Sequence, residues 1–577
     1  MLSSAEALRK QKKRVLLIGL DAATFDLVAP MLKGGSLPNL QSLIKAGSSG
    51  TLLSTIPDLS PVAWSSFATG KNAGKHGIFS FVVSKPRSYE ISLANAGLRR
   101  AEAFWRILSR RGRKVGVVNM PFSYPPEEVN GYLVCGMDAP GTSSDYTYPK
   151  ELKSEIKELL GDYTIDYSFV GSLERENREE ILRRLFEAEK KRLQLSLHLM
   201  RKFDWDLFFV VFVALDRVQH FFWHLMEPNH PLYDEAGAER FREAIPEMYV
   251  KMDQLVGRLL EAIDEDTYVV VMSDHGAGPF DNSVPYLNLN DFFVEKGYLS
   301  LKSSGAKGEI ASLLRGSRAL LRKHLSPKMK ERLKALLPGA REWMQSFTYF
   351  SGIDWEKTKA YATYDEIMSR GVRLNLKGRE PQGVVRPGEE YEEFREELVQ
   401  TLSQLQHPLT GLPIVDRVYR REELYHGECL EQAPDLFVFW NDHAYFCGNA
   451  LLDKSKYREV KRPGRQFKLT EIQRSGEHRR NGVLIVKGAG VNSEFAFESA
   501  DIMDVIPTVF YLLGEAVPED MDGKVLTNII AGDYLLRRPV SFSSERGEVR
   551  SPPPEQVYTE DEAEVVEERL RNLGYIE

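Results

Sequence analysis

The sequence predicts an α/β fold, a three-layer sandwich in which a mostly parallel central sheet carries helices on both faces. Three observations carry that prediction. Short, β-branched apolar runs alternate with amphipathic segments along most of the chain. The run 206–214 is apolar almost throughout, as a strand buried on both faces must be. Seven polar residues, Asp21, Ser60, Asp216, His220, Asp274, His275 and His478, lie at the ends of apolar runs. In open α/β sheets the carboxyl ends of the strands line the ligand crevice, so carboxylates and imidazoles there can gather around one site.

Taken along the chain, the first strand is expected at 14–20, stopped by Asp21. A helical period follows at 36–46 and another at 101–111. Strands at 114–119 and 131–135 come next, then a charged helix at 177–201 and the fully apolar strand at 206–214. A helix at 239–263 leads into the strand 267–272, which stops at Asp274 and His275. Beyond a helix at 390–405, strands are expected at 434–439 and 482–487, and a helix at 502–513. This places one large domain at 14–535.

Two regions interrupt the alternation and read as insertions over the crevice. Residues 145–205 form a helical insertion, a possible cap. Residues 297–345 form a basic one, a possible lid, with eleven Lys/Arg against two acidic residues between 301 and 341. A solvated helical face is the plain reading of that charge; a cover for an anionic substrate and an acidic membrane or partner contact are the functional ones. The tail 537–577 opens with a Pro-rich linker and closes with an acidic amphipathic helix that docks on the main body.

Bulk properties narrow the function. The chain has 577 residues, 42% hydrophobic and 28% charged, enough for a sizeable core plus insertions. A net charge of −7 argues against a general nucleic-acid binder. The cysteines are Cys135, Cys429 and Cys447, widely separated and odd in number. No disulfide framework or zinc finger follows, and a reducing compartment fits best. The apolar run before Asp21 is too short for a signal peptide, and no stretch reaches the length of a transmembrane segment. A soluble, cytoplasmic protein is expected.

Asp216 and His220 stand four residues apart, so on a helix begun at the strand end both face one side, and His224 continues that face. Asp274 and His275 followed by Gly276 on a loop can point to one metal ion. A helix-capping Asp and a surface His are the plain alternatives. Ser60 precedes Pro61 at the start of a helix, where free N–H groups and the dipole favour an alkoxide or a phosphate; a simple capping serine is the alternative.

The ordered set resembles the alkaline phosphatase superfamily, in its type I phosphodiesterase / nucleotide pyrophosphatase branch. The matching motifs are Gly19-Leu20-Asp21, Ser60-Pro61 with Ala68-Thr69-Gly70 and His76-Gly77-Ile78, Asp216-x-x-x-His220, Asp274-His275-Gly276, and Ser475-Gly476-Glu477-His478. The segments 501–514 and 518–523 resemble that superfamily's C-terminal helix and turn. The resemblance implies an alkaline phosphatase-like fold and two divalent metal ions, zinc by preference with manganese as the other candidate. Asp216, His220 and His478 would hold one ion. Asp21, Asp274 and His275 would hold the other, with Ser60 as its fourth ligand. Ser60 would be the nucleophile, forming a phosphoseryl intermediate that is then hydrolysed. The implied activity is hydrolysis of a small-molecule phosphate ester or nucleotide, by a phosphodiesterase or pyrophosphatase.

Two positions depart from the family pattern. Nucleotide-specific members carry Thr as nucleophile, where this chain has Ser60. They also carry an Asn five residues beyond the histidine of the His-Gly-Ile motif, where this chain has Phe81. Lys71, Asn72 and Lys75 are the substitute phosphate-binding candidates, a solvated turn being the alternative. A sulfatase fits less well, because Pro61 follows Ser60 directly and no Arg stands where that branch carries one. A phosphotransferase of the cofactor-independent phosphoglycerate mutase type is the runner-up, with a phosphomonoesterase beside it. A scaffold with a decayed site would have lost at least one ligand, and none is missing.

Overall fold

Three parallel strands lie at the centre of a computed structural model that describes residues 13–85, 87–167, 178–230, 232–280, 289–302, 350, 352–363, 371–406, 411–441, 474–547, 557–573 and 575–576. Val15–Leu20 is bonded to Leu207–Phe212 on one side and to Tyr268–Met272 on the other. Every residue of the three is buried, as strands covered on both faces require. The register pairs Leu20 with Phe212 and Gly19 with Met272. The three strands therefore finish level, and whatever follows each of them emerges at one edge.

The sheet has nine strands in the order Phe495–Asp501, Gly47–Leu53, Asn481–Lys487, Tyr268–Met272, Val15–Leu20, Leu207–Phe212, Val115–Met120, Gly131–Cys135 and Thr147–Tyr148. Only Asn481–Lys487 and Thr147–Tyr148 run against the rest. The helices make two packed sets. Phe25–Lys33, Pro38–Ala46, Arg178–Lys202, Ala214–Met226 and Ala244–Leu260 form one, and Ser60–Thr69, Phe104–Arg110 and Val505–Leu513 form the other. The result is the expected three-layer αβα sandwich.

Several elements differ from the sequence expectation. The helix at 239–263 is two, Glu235–Phe241 and Ala244–Leu260. Pro246 has no N–H to continue a helix through 242, but is tolerated in the first turn of a new one. The strand at 434–439 forms as Leu436–Trp440, but in a separate four-stranded sheet with Ala360–Ala362, Gly371–Leu374 and Val415–Arg420. An apolar run signals a strand without saying which sheet it joins. Gly47–Leu53 and Phe495–Asp501 carried no strand signal. Their pairing explains this: a Cβ on Gly50 would lie 2.3 Å from the Phe497 carbonyl oxygen, so the close approach of the two strands selects glycine, a poor strand former.

The long helix Arg178–Lys202, in the region 145–205, packs on the strands Val115–Met120 and Leu207–Phe212 and on two helices of its layer. The basic segment 297–345 falls largely outside the described residues, as does the linker around 548–556. The C-terminal helix forms at Glu560–Asn572. Thr559 accepts from the Glu562 N–H and the Glu562 side chain accepts from the Thr559 N–H, a capping box. Its Val566 and Leu570 are buried, with Leu573, Tyr575 and Ile576 beyond it. Among the described residues, no helix is long and apolar enough to cross a membrane.

Candidate active site

Asp21 is the first residue beyond its strand, and its N–H is bound to the Phe212 carbonyl at 3.0 Å. Beyond Leu207–Phe212 the chain enters the helix Ala214–Met226 almost at once. The buried carboxylate of Glu189 makes that sharp entry possible, accepting the N–H groups of Val213 and Ala214, each at 2.8 Å. These N–H groups would otherwise be orphaned, and an anion is favoured at a helix N-terminus. Asp216 and His220 then lie one turn apart on one face. Beyond Tyr268–Met272, the Ser273 hydroxyl donates to the Ala23 carbonyl at 2.9 Å and accepts the Val483 N–H at 2.7 Å. This fixes the loop that presents Asp274 and His275. Gly276–Pro279 pairs antiparallel with Gly476–Arg479, with Ala277 opposite His478. That two-stranded ribbon brings His478 to the same edge.

All six side chains are buried and converge. Asp216 Oδ1 lies 3.1 Å from His220 Nε2 and 3.3 Å from His478 Nε2. His275 Nε2 lies 3.3 Å from Asp274 Oδ2 and 3.7 Å from Asp21 Oδ1. The His275 and His478 rings stack at 3.6 Å. Each imidazole turns its Nδ1 to a backbone carbonyl: His220 to Gly476 at 2.8 Å, His478 to Asp58 at 3.0 Å, His275 to Gly276 at 2.9 Å. Nδ1–H donation leaves the Nε2 lone pairs directed inward, the arrangement that orients metal-binding histidines.

The inward-facing atoms test whether the residues fit a cation. Asp21 Oδ1, Asp216 Oδ1, Asp274 Oδ2 and His275 Nε2 are buried without a hydrogen-bond partner. A buried unsatisfied polar group costs about 1–3 kcal/mol, and more when charged, so four in one place call for a common partner. Carboxylate oxygen and imidazole nitrogen are a zinc-type donor set. The ligand atoms group as Asp216, His220 and His478, and as Asp21, Asp216 and His275, each within 4.8 Å. The first triad coincides with the sequence-based one. In the second, Asp216 stands in the grouping and Asp274 adjoins it through His275. Asp216 thus lies between the two groups.

The electrostatics agree. Burial, then the charges of Asp274 and Asp216, hold the Asp21 carboxyl well above the usual range. Burial also raises Asp274, against the pull of His275 and His478. Burial would raise Asp216 too, but His220 and Arg217 hold it well below the usual range. Burial, then Arg474, brings His220 down to about 4, and burial lowers His275. The site therefore sets two imidazoles of lowered basicity, His220 and His275, among crowded carboxylates.

Ser60 opens the helix Ser60–Thr69 and is buried. The Asp58 carbonyl receives the His478 Nδ1–H, which ties the turn carrying Ser60 to the histidine cluster. The other sequence candidates have different surroundings. Lys71 Nζ bonds Asp520 at 2.5 Å, and Lys75 Nζ bonds Asp522 at 2.5 Å and the Asp520 carbonyl at 3.0 Å. Asn72 donates its N–H and its amide to Asp522 at 2.9 and 2.7 Å. All three are thus engaged by the turn 518–523. Phe81 is fully buried, stacked on Tyr575 at 4.8 Å and edge-on to Phe122 at 5.7 Å. His224 bonds the Ser475 hydroxyl through Nδ1 at 2.8 Å and so steadies the segment that carries His478.

Sequence reasoning missed four residues. Arg217 is buried against Asp166 at 2.9 Å and also contacts Asp216. Arg474 lies against the His220 ring, its Nη2 2.9 Å from both ring nitrogens. Glu189 caps the helix of Asp216. Tyr575 reaches Asp216 from the C-terminus at 2.7 Å. Arg217 lies inside one motif and Arg474 directly precedes another, so both could have been suspected; Glu189 and Tyr575 carry no local signal.

The sequence matches the family model of type I phosphodiesterase / nucleotide pyrophosphatase over residues 15–466. That span includes every residue of the cluster except His478. No curated protein matches the sequence. Among solved structures, phosphonoacetate hydrolase from Sinorhizobium meliloti 1021, in complex with phosphonoacetate, aligns at 14% identity and a TM-score of 0.51, over 87% of this chain and 95% of that one. Murine ectonucleotide pyrophosphatase / phosphodiesterase 5, an inactive form in complex with AMP, aligns at 13% identity and a TM-score of 0.49, over 90% of this chain and 100% of that one. At such identity the hydrolase shares the fold, an alkaline phosphatase-like sandwich.

Proposed function

This chain belongs to the type I phosphodiesterase / nucleotide pyrophosphatase family, and from that premise we propose that it is a metal-dependent phosphate-ester hydrolase, a phosphodiesterase or pyrophosphatase with Ser60 as nucleophile. One observation carries the reading. Four buried, hydrogen-bond-less acceptor atoms, on Asp21, Asp216, Asp274 and His275, converge beside the paired Nε2 atoms of His220 and His478. Asp216, His220 and His478 would hold one divalent ion, and Asp21, Asp274 and His275 the other, zinc by preference. Such a pair would supply charge stabilisation for the attacking and leaving oxygens of an in-line displacement.

The chain's own residues do the rest. In the first step the Ser60 Oγ–P bond forms and the bond from phosphorus to the leaving oxygen breaks, the leaving group departing with a proton. In the second, water attacks phosphorus, the Ser60 Oγ–P bond breaks and the serine hydroxyl is restored. The N-terminus of Ser60–Thr69 favours negative charge at Ser60 and on the bound phosphate. The substrate is a small phosphodiester or nucleotide. A reducing, cytoplasmic compartment belongs to the same reading, supported by the buried free thiols Cys135 and Cys429.

The test compares wild type with Ser60→Ala, both loaded with Zn²⁺, on an aryl phosphodiester, an aryl phosphomonoester and an aryl sulfate. Wild type should turn over the diester fastest, and Ser60→Ala should lose at least about 10³-fold while binding the same number of ions. Retained turnover would remove Ser60 from the role of nucleophile. Phosphoryl transfer to a sugar without hydrolysis would favour the mutase reading.

A further inference from the structure

The C-terminal tail reaches into the cluster, and the contacts that bring it there are specific. Arg569 donates to the carbonyls of Met137 and Ala139, each at 2.6 Å, and of Pro140 at 2.9 Å. The Tyr558 ring stacks on Tyr124 at 5.5 Å, and its hydroxyl donates to the Asp138 carbonyl at 2.9 Å. Anchored at both ends, the helix Glu560–Asn572 delivers Tyr575 to a buried position, 1% exposed. There the ring lies flat on Phe81, with an interplanar angle of 15°. The phenol oxygen donates to Asp216 Oδ2 at 2.7 Å and accepts from Arg217 Nη1 at 2.7 Å.

The two oxygens of Asp216 are therefore divided. Oδ2 is held by Tyr575 and Arg217, and Arg217 is itself fixed by Asp166. Oδ1 has no hydrogen bond and faces His220 Nε2 and His478 Nε2. A carboxylate pinned through one oxygen can turn the other in only one direction. Such outer contacts orient ligands and raise metal affinity. Phe81 supplies the floor on which the Tyr575 ring rests.

We propose that Tyr575 is a positioning residue of the active site, its hydroxyl locking Asp216 so that Oδ1 points into the site formed with His220 and His478. The C-terminal tail then completes that site rather than merely covering it. The inference rests on reading Asp216 as a metal ligand.

The test measures Zn²⁺ affinity by competition with a chromogenic chelator on the full chain, together with the melting temperature of the metal-free protein. Tyr575→Phe keeps the ring on Phe81 and removes only the O–H. It should weaken one of the two ions by about 10–100-fold and leave the other unchanged, while lowering the metal-free melting temperature by less than Phe81→Leu does. Phe81→Leu disturbs the same packing and keeps the O–H; it should lower the melting temperature more than the affinity. Unchanged Zn²⁺ affinity in Tyr575→Phe would overturn the proposal, as would affinity that simply tracks melting temperature in both variants. A wild-type chain that binds no Zn²⁺ would instead sink the reading of the site itself. Asp216→Asn, which removes the ligand charge, should abolish binding of the same ion that Tyr575→Phe weakens; loss of the other ion would count against the assignment.

Discussion

His220 and His478 meet through their Nε2 atoms at 3.1 Å, while each Nδ1 is bound to a backbone carbonyl. With both protons on Nδ1, two lone pairs face each other, with the Asp216 carboxylate beside them. Three electron-rich atoms packed this closely repel one another in the absence of a cation. The backbone enforces the arrangement, because the carbonyls of Gly476 and Asp58 fix the two rings.

Metal removal should therefore cost stability. Binding to the native state alone adds about 2.7 kcal/mol per site when free Zn²⁺ is one hundred times its Kd. Chelation should lower the melting temperature and Zn²⁺ restore it. His478→Gln should lose one ion and that ion's share of the increment. Calorimetry alongside elemental analysis checks this, and a wild-type melting temperature indifferent to Zn²⁺ would contradict it.

Gly476 links the ribbon to the helix of Asp216 and His220. A Cβ there would lie 2.3 Å from the Gln219 carbonyl oxygen, and backbone cannot yield as a flexible side chain does. Gly476→Ala should force the two segments apart and cost about 1–3 kcal/mol. It should also lengthen the His220 Nδ1 bond to the Gly476 carbonyl and weaken one ion. Urea unfolding with an ion count decides; wild-type stability and affinity together would refute it.

The four-stranded sheet has its own charged centre. The buried Asp435 accepts from Arg379 at 2.7 and 2.6 Å, from the Tyr391 hydroxyl at 2.7 Å and from the Leu374 N–H at 2.8 Å. Burial alone would raise its carboxyl, but Arg379 foremost, with Arg373 and Arg421, brings it down to about 2. Asp435→Asn leaves those guanidinium groups without their anion and should destabilise by about 3–5 kcal/mol. Because the folded value lies below the unfolded one, near 3.9, the contribution is present above pH about 4 and is lost as pH falls towards about 2. The stability gap between wild type and Asp435→Asn should be flat near neutrality and narrow below pH about 4. A gap that widened on acidification would show that Asp435 is not held as an anion.

The sequence by itself determined the central strands and the identity of the cluster. Val15–Leu20, Leu207–Phe212 and Tyr268–Met272 are apolar on both faces, and that is a local property. Asp21, Asp216, Asp274 and His275 could be named because each follows such a run, and His220 because it stands one helical turn beyond Asp216. Only the tertiary structure decided what depends on distant segments. The glycine-rich strand Gly47–Leu53 exists because Phe495–Asp501 and Asn481–Lys487 flank it, not through its own propensity. Leu436–Trp440 joins a second sheet because its partners are there. Lys71, Asn72 and Lys75 could have faced solvent or substrate, and the acidic turn 518–523 decided their partners. The pinning of Asp216 by Tyr575 joins residues 359 positions apart, and no local pattern encodes a hydrogen bond that forms only after the C-terminal helix has packed.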